Sequence, residues 1–175
     1  QEMTGLPLSI DSSNVDVIAT GLAAYDSTRA RPLLNSASLE RIEALDLAKK
    51  YDARVVVTAA GESGMPSGAD ERVKNASRMI DAALGKGFAL RDLFVDPLVF
   101  PVSVDKVFGR HCLDAIREIR KKYGAELHIT GGVSNASFGI PGRKLINEVF
   151  LILAVEAGAD GGIIDPVLSN PAEVF

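Results

Sequence analysis

Six short apolar runs, each closed by polar residues and each but the last followed by a helix-period segment, constrain this chain more than any other feature. They are Pro7–Asp11, Pro32–Ser36, Arg54–Ala59, Leu93–Leu98, Glu126–Gly132 and Gly161–Asp165. The third, R-V-V-V-T-A, is the clearest, a β-branched run of the kind found in parallel strands covered on both faces. Between the runs, apolar residues recur at helical spacing: Val15, Ile18 and Leu22; Leu39, Ile42, Leu45 and Ala48; Val73, Ala76, Ile80, Ala83 and Leu84. Two further segments do the same. One carries Val104, Val107, Phe108, Ile116, Ile119 and Tyr123 and stops at Gly124; the other runs from Arg143 to Ala157 and closes at Gly158. Ser12 or Ser13, Ser38 and Ser103 stand where N-caps are expected.

Strands alternating with helices at about 25–40 residues are parallel βαβ units. With no dinucleotide-binding glycine fingerprint, two architectures remain, an open doubly wound sheet and a (β/α)₈ TIM barrel. Polar residues end nearly every strand (Asp11, Asn35 with Ser36, Thr58, Asp96, Asn135, Asp165). In a barrel these positions ring one mouth, whereas an open sheet gathers its site at one crevice, so the α/β barrel is favoured. A barrel takes about 250 residues. The 175 residues here are therefore expected to be a single six-strand fragment, lacking the first two βα units and the last helix. The edges at its first and sixth strands would be unpaired, which favours a homo-oligomer.

Composition narrows the function. At 47% hydrophobic and 24% charged, the chain suits one domain with a full core. The apolar run Val149–Ala154 lies within a helix-period segment and is too short for a membrane span. A single cysteine, Cys112, excludes an internal disulfide and fits a reducing cytoplasm. Beside His111 it is far short of a metal site, and a structural role is expected; no metal ligand set is expected elsewhere. Net charge is −4 with both signs interspersed, so nucleic acid is not an expected partner. Ser/His/Asp sets and phosphate loops of known spacing are absent.

The stretch I-T-G-G-V-S-N-A-S-F-G-I-P-G-R, Ile129–Arg143, carries the strongest functional signal. Gly131 and Gly132 could be ordinary strand-end glycines, but with Ser134 and Asn135 after them they suggest close approach of backbone to a ligand. Arg143 either only opens a helix or also meets an anionic tail. Asp11, Asn35 and Asp96 could each be a helix cap. As a set they match a flat heterocycle: a carboxylate accepts two parallel N–H bonds, and an amide both donates and accepts. The exposed loop G-E-S-G-M-P-S-G is of the sort that covers a site.

S-I-D-S-S-N, L-L-N-S-A-S, F-V-D-P-L and G-G-V-S-N-A-S-F-G-I-P-G-R-K-L-I-N, in that order, resemble the pterin-binding barrel family over Pro7–Pro166. They are most similar to its methyltetrahydrofolate:corrinoid methyltransferases. The resemblance implies that Asp96 and Asn35 hold the pterin edge, with Asp11 near the ring; Gly132, Ser134 and Arg143 are expected to line the same site. It also implies that Asn135 lies by the nitrogen bearing the methyl group, as the catalytic residue. Methyltetrahydrofolate would be the donor, and the acceptor a corrinoid (cobalamin) held by a partner protein. A dihydropteroate synthase, a methanopterin-using methyltransferase and a non-catalytic pterin-binding subunit are the alternatives.

Overall fold

The structure is a computed structural model that describes residue 1 and residues 3–167. Five parallel strands form one sheet: β1 (Ser9–Asp11), β2 (Leu33–Ala37), β3 (Arg54–Thr58), β4 (Leu93–Asp96) and β5 (His128–Ile129). Their spatial order is the order of the chain, β1-β2-β3-β4-β5. A doubly wound sheet reverses its strand order at a switch point. This one does not, so it is an arc of a barrel. Helices α1 (Val15–Ala23), α2 (Ala44–Lys50), α3 (Ala69–Gly85) and α4 (Val107–Tyr123) cross between successive strands, and α5 (Arg143–Ala157) follows β5.

The two faces of the sheet differ in chemistry because side chains alternate. Leu34, Val55, Val57, Leu93, Val95 and Ile129 are fully buried and pack with Ile18, Leu45, Ile80 and Ile119 of the helices, which forms the core. Asp11, Asn35, Val56 and Phe94 stand level with one another on the other, concave face, and His128 pairs with Phe94. The Phe94 and His128 rings stack with centroids 4.6 Å apart. Thr58 and Asp96 are paired one layer nearer the C-terminal ends. A register shift between Asn35 and Ala37 follows, and the Asn35–Ser36 peptide is cis.

Several local expectations change. Asn14, not Ser12 or Ser13, caps α1, its Oδ1 accepting from the amides of Asp16 (2.8 Å) and Val17 (3.2 Å). Ser12 Oγ instead accepts from the Asn14 amide. Ser38 bridges Arg41, and α2 begins only after Glu43, which leaves Ile42 exposed. Ser103 Oγ donates to the Phe138 carbonyl at 2.7 Å, tying two loops together rather than capping. Because α4 starts later than expected, Val104 and Val107 lie outside the core, and Gly109, Cys112, Ala115, Ile116 and Ile119 form its buried face. The buried stripe of α3 is rotated by about one residue: Arg72, Asn75, Ala76, Met79, Ile80 and Ala83 face inward, and Leu84 is exposed.

The expected sixth strand lies beside β5, where the Ile163 amide donates to the Gly131 carbonyl (2.8 Å). It is a single bridge, Gly132 to Ile163, rather than a full strand. Gly161 and Gly162 abut the Thr130 and Val133 side chains, and glycine favours strands poorly. Asp160 staples this segment to β5, accepting from the Ile129 amide (2.7 Å) and meeting His128 Nδ1 (2.9 Å). Burial raises the Asp160 pKa, but the Ile129 amide, His128 and Arg120 together outweigh it and hold the carboxyl below its usual value.

Candidate active site

Parallel pairing brings the C-terminal ends of β1 to β4 to one side of the arc, and two pairs of polar residues gather there. Asn35 Nδ2 donates to Asp11 Oδ2 at 3.2 Å. The bond consumes one amide hydrogen and leaves the Asn35 carbonyl oxygen with no protein donor among the described residues. Both residues line a cleft of about 300 Å³ with Leu33, Val56, Phe94 and Thr130. Gly161–Ile163 closes its far side. An apolar floor with a few convergent polar groups at its rim suits a planar, hydrogen-bonding ligand.

The second pair flanks the two glycines after β5. A Cβ on Gly131 would stand 3.0 Å from Asp96 Oδ1, and one on Gly132 would stand 2.9 Å from Asn135 Nδ2. Both glycines therefore leave room for polar side chains, and a methyl at 132 would push the Asn135 amide aside. Asp96 Oδ1 accepts from the Leu98 amide at 2.8 Å, and no protein donor meets its Oδ2 among the described residues. Burial pushes the Asp96 carboxyl up to about 6, while the Leu98 amide pulls the other way. A half-satisfied carboxylate in a desolvated setting is poised to take N–H donors from a ligand.

Asn135 is exposed and lies on a 3₁₀ turn, Val133–Ser137, whose two ends are fixed. Arg143 holds this turn: Nε donates to Ser137 Oγ (3.0 Å) and an Nη donates to the Ser134 carbonyl (2.9 Å). Ser134 and Arg143 line a different cleft, of about 260 Å³, between the turn and α5. The structure thus joins Asp11 to Asn35, sets Asp96 beside Gly131 and Asn135 beside Gly132, and places Ser134 and Arg143 behind the turn. The loop after β3 folds back on α3, with Ser67 donating to Glu71 and Arg78 paired with Glu62 (2.7 Å).

One residue of the site was not singled out from the sequence. Arg72 is fully buried on α3 and donates to the carbonyls of Pro97 (2.9 Å), Leu98 (3.4 Å) and Gly68 (3.0 Å). Its spacing from Ala76, Ile80 and Ala83 is the signal that could have found it, since it shares their stripe. Cys112 is buried, and burial pushes its thiol up to about 12, so it is a protonated packing residue. Among the described residues no group of three His, Cys, Asp or Glu side chains could hold a metal ion, and no helix is long and apolar enough to cross a membrane.

Residues 1–165 match the family described as pterin binding enzyme. A methylcorrinoid:tetrahydrofolate methyltransferase of Eubacterium limosum is 29% identical over 171 residues, covering 95% of this chain and 62% of that protein. A methionine synthase of Mycobacterium leprae is 29% identical over 174 residues, which are 91% of this chain and 14% of that one. Among solved structures, a dihydropteroate synthase of Xanthomonas albilineans superposes with a TM-score of 0.70 at 19% identity, over 92% of this chain and 60% of that chain. One from Stenotrophomonas maltophilia gives 0.69 at 19% identity, over 92% and 64%. The likeness to both is one of fold, the barrel anticipated from the strand pattern. The chain spans 62% of the first relative's length and 60% of the first solved neighbour's.

Proposed function

Because the chain belongs to the pterin-binding enzyme family, we propose that its mouth carries methyl transfer from methyltetrahydrofolate to a corrinoid held by a partner protein. The observation that carries this reading is the half-satisfied Asp96 carboxylate beside Gly131, with the exposed Asn135 amide beside the next residue, Gly132. A pterin presents an amidine-like edge of N–H donors and ring acceptors. The free Asp96 oxygen supplies the acceptor and the Asn35 carbonyl a second one, while Asp11 orients the Asn35 amide. Two glycines without side chains leave the backbone open to a flat ring.

In the transfer, the carbon–nitrogen bond of the donor breaks as the methyl carbon moves to the reduced cobalt. The nitrogen keeps the bonding electron pair and becomes basic. An amide N–H from Asn135 stabilises that change without placing a charge in the site, and its hydrogen bond strengthens as the reaction proceeds. The proton that finally neutralises the nitrogen arrives through water. The corrinoid chemistry belongs to the partner; this chain binds, orients and polarises the donor.

The relatives' names support this reading, one being a methylcorrinoid:tetrahydrofolate methyltransferase and the other a methionine synthase. The likeness of fold to dihydropteroate synthases favours a second reading, condensation on a pterin pyrophosphate. Two assays separate them. Methyl-labelled methyltetrahydrofolate with cob(I)alamin is expected to yield labelled methylcobalamin, and pterin pyrophosphate with p-aminobenzoate is expected to yield nothing. Turnover only in the second assay would replace the reading, and pterin binding with no turnover in either would make the chain a binding subunit.

A further inference from the structure

Arg72 has an environment that packing alone does not account for. Its guanidinium is fully buried on α3, and among the described residues no carboxylate forms a salt bridge with it, Glu71 acting on it only through a longer-range charge interaction. Burying a cation without a counter-charge is costly, and an apolar side chain would fill the space at less cost. What an arginine adds is a rigid fork of donors. Here Nε donates to the Pro97 carbonyl (2.9 Å) and shares the Leu98 carbonyl with Nη2 (3.4 Å each), while Nη1 reaches the Gly68 carbonyl at 3.0 Å. The Phe100 ring covers the guanidinium at 4.6 Å.

Two of the three carbonyls it holds, those of Pro97 and Leu98, belong to the turn that directs Asp96. Leu98 has a φ of +67, a left-handed conformation that leucine rarely adopts. In that conformation its amide meets Asp96 Oδ1 at 2.8 Å, leaving Oδ2 for a ligand. We propose that Arg72 is a positioning residue for substrate binding: by clamping the Pro97 and Leu98 carbonyls it holds Leu98 left-handed, so that Asp96 is presented to the pterin. This rests on the reading of Asp96 given above.

The test is a double-mutant cycle in the full chain, with methyltetrahydrofolate titrated against each variant and methyl transfer to cob(I)alamin followed alongside. Lysine keeps the charge of Arg72 but lacks its planar fork, so a single nitrogen would have to serve carbonyls that three nitrogens now hold. Arg72→Lys is expected to weaken binding about tenfold while kcat changes less than about threefold. In an Asp96→Asn background, which itself binds weakly, Arg72→Lys is expected to cost nothing more. An equal loss in both backgrounds, or no loss in the wild-type background, overturns the assignment.

Should Arg72→Lys fail to fold, Leu98→Val takes its place, since a β-branched residue resists positive φ. It is expected to weaken binding only where Asp96 is present; unchanged binding overturns the proposal. Failure of the wild-type chain to bind methyltetrahydrofolate would instead remove the functional reading, and this proposal with it. Normal wild-type binding that is weakened by Asp96→Asn but not by Arg72→Lys would remove the Arg72 assignment alone.

Discussion

Asp96 illustrates, at the scale of one residue, how a desolvated carboxylate costs stability. Its carboxyl is pushed from 3.8 to about 6 in the folded chain, chiefly by burial. The folded protein therefore holds the Asp96 proton more tightly than the unfolded chain does. This contribution favours folding below about pH 4 and is lost as pH rises through about 6. At neutral pH the ionised group opposes folding of the free protein by about 1–3 kcal/mol. Asp96→Asn is accordingly expected to raise the unfolding free energy at pH 7 by that order and to lose this advantage near pH 4, while weakening pterin binding. Denaturant unfolding at the two pH values checks it; a variant less stable than wild type at pH 7 would mean that the carboxylate is structurally satisfied. Ligand-free Asp96 also titrates within reach of ordinary buffers, so pterin affinity is expected to fall as pH drops below about 6.

At the scale of the element, the turn Val133–Ser137 does for Asn135 what the Arg72 clamp does for Asp96. Arg143 binds the turn through Ser137 Oγ and the Ser134 carbonyl, although its own side chain borders a separate cleft. Arg143→Met is expected to keep α5, which is buried through Phe150, Leu151 and Ala154, and to loosen the turn. Amide hydrogen exchange across residues 133–137 is expected to speed about tenfold, with little change in global stability. Unchanged exchange would mean that the turn is held by its neighbours instead. Such loop-level ties explain what the sequence could not disclose. Strands and helices were legible because their apolar periods are local, and the end of each strand marked Asp11, Asn35 and Asp96. Ser38 and Ser103 looked like caps because cap preference is also local; Ser38 does accept from the Arg41 amide, but α2 begins only after Glu43, and the partner of Ser103, the Phe138 carbonyl, is set by a tertiary contact. Arg72 escaped notice because a charge on a helix is normally assigned to solvent, and the carbonyls that hold it, at Pro97 and Leu98, lie far along the chain.

At the scale of the whole molecule, the fold divides the labour between its two faces. The outer face of the sheet packs against the helices to form the core, with Val55, Val57, Leu93 and Val95 fully buried. The concave face carries the polar residues toward one mouth, level by level, with Asp11 and Asn35 below Asp96. Its chemistry can therefore vary with little disturbance to the core, and a single polar side chain can be tested for its part in the reaction. The central claim is that Asn135 acts on the nitrogen that loses the methyl group, whereas Asp96 and Asn35 hold the pterin edge throughout. Single-turnover methyl transfer from saturating methyltetrahydrofolate to cob(I)alamin by Asn135→Ala tests it most directly. The account predicts a rate lowered by about 100- to 1,000-fold, the loss of roughly 2–4 kcal/mol expected for one donor that acts in the transition state, with donor affinity nearly unchanged. Transfer at the wild-type rate once the donor is saturating would contradict it and leave Asn135 without a part in the chemistry.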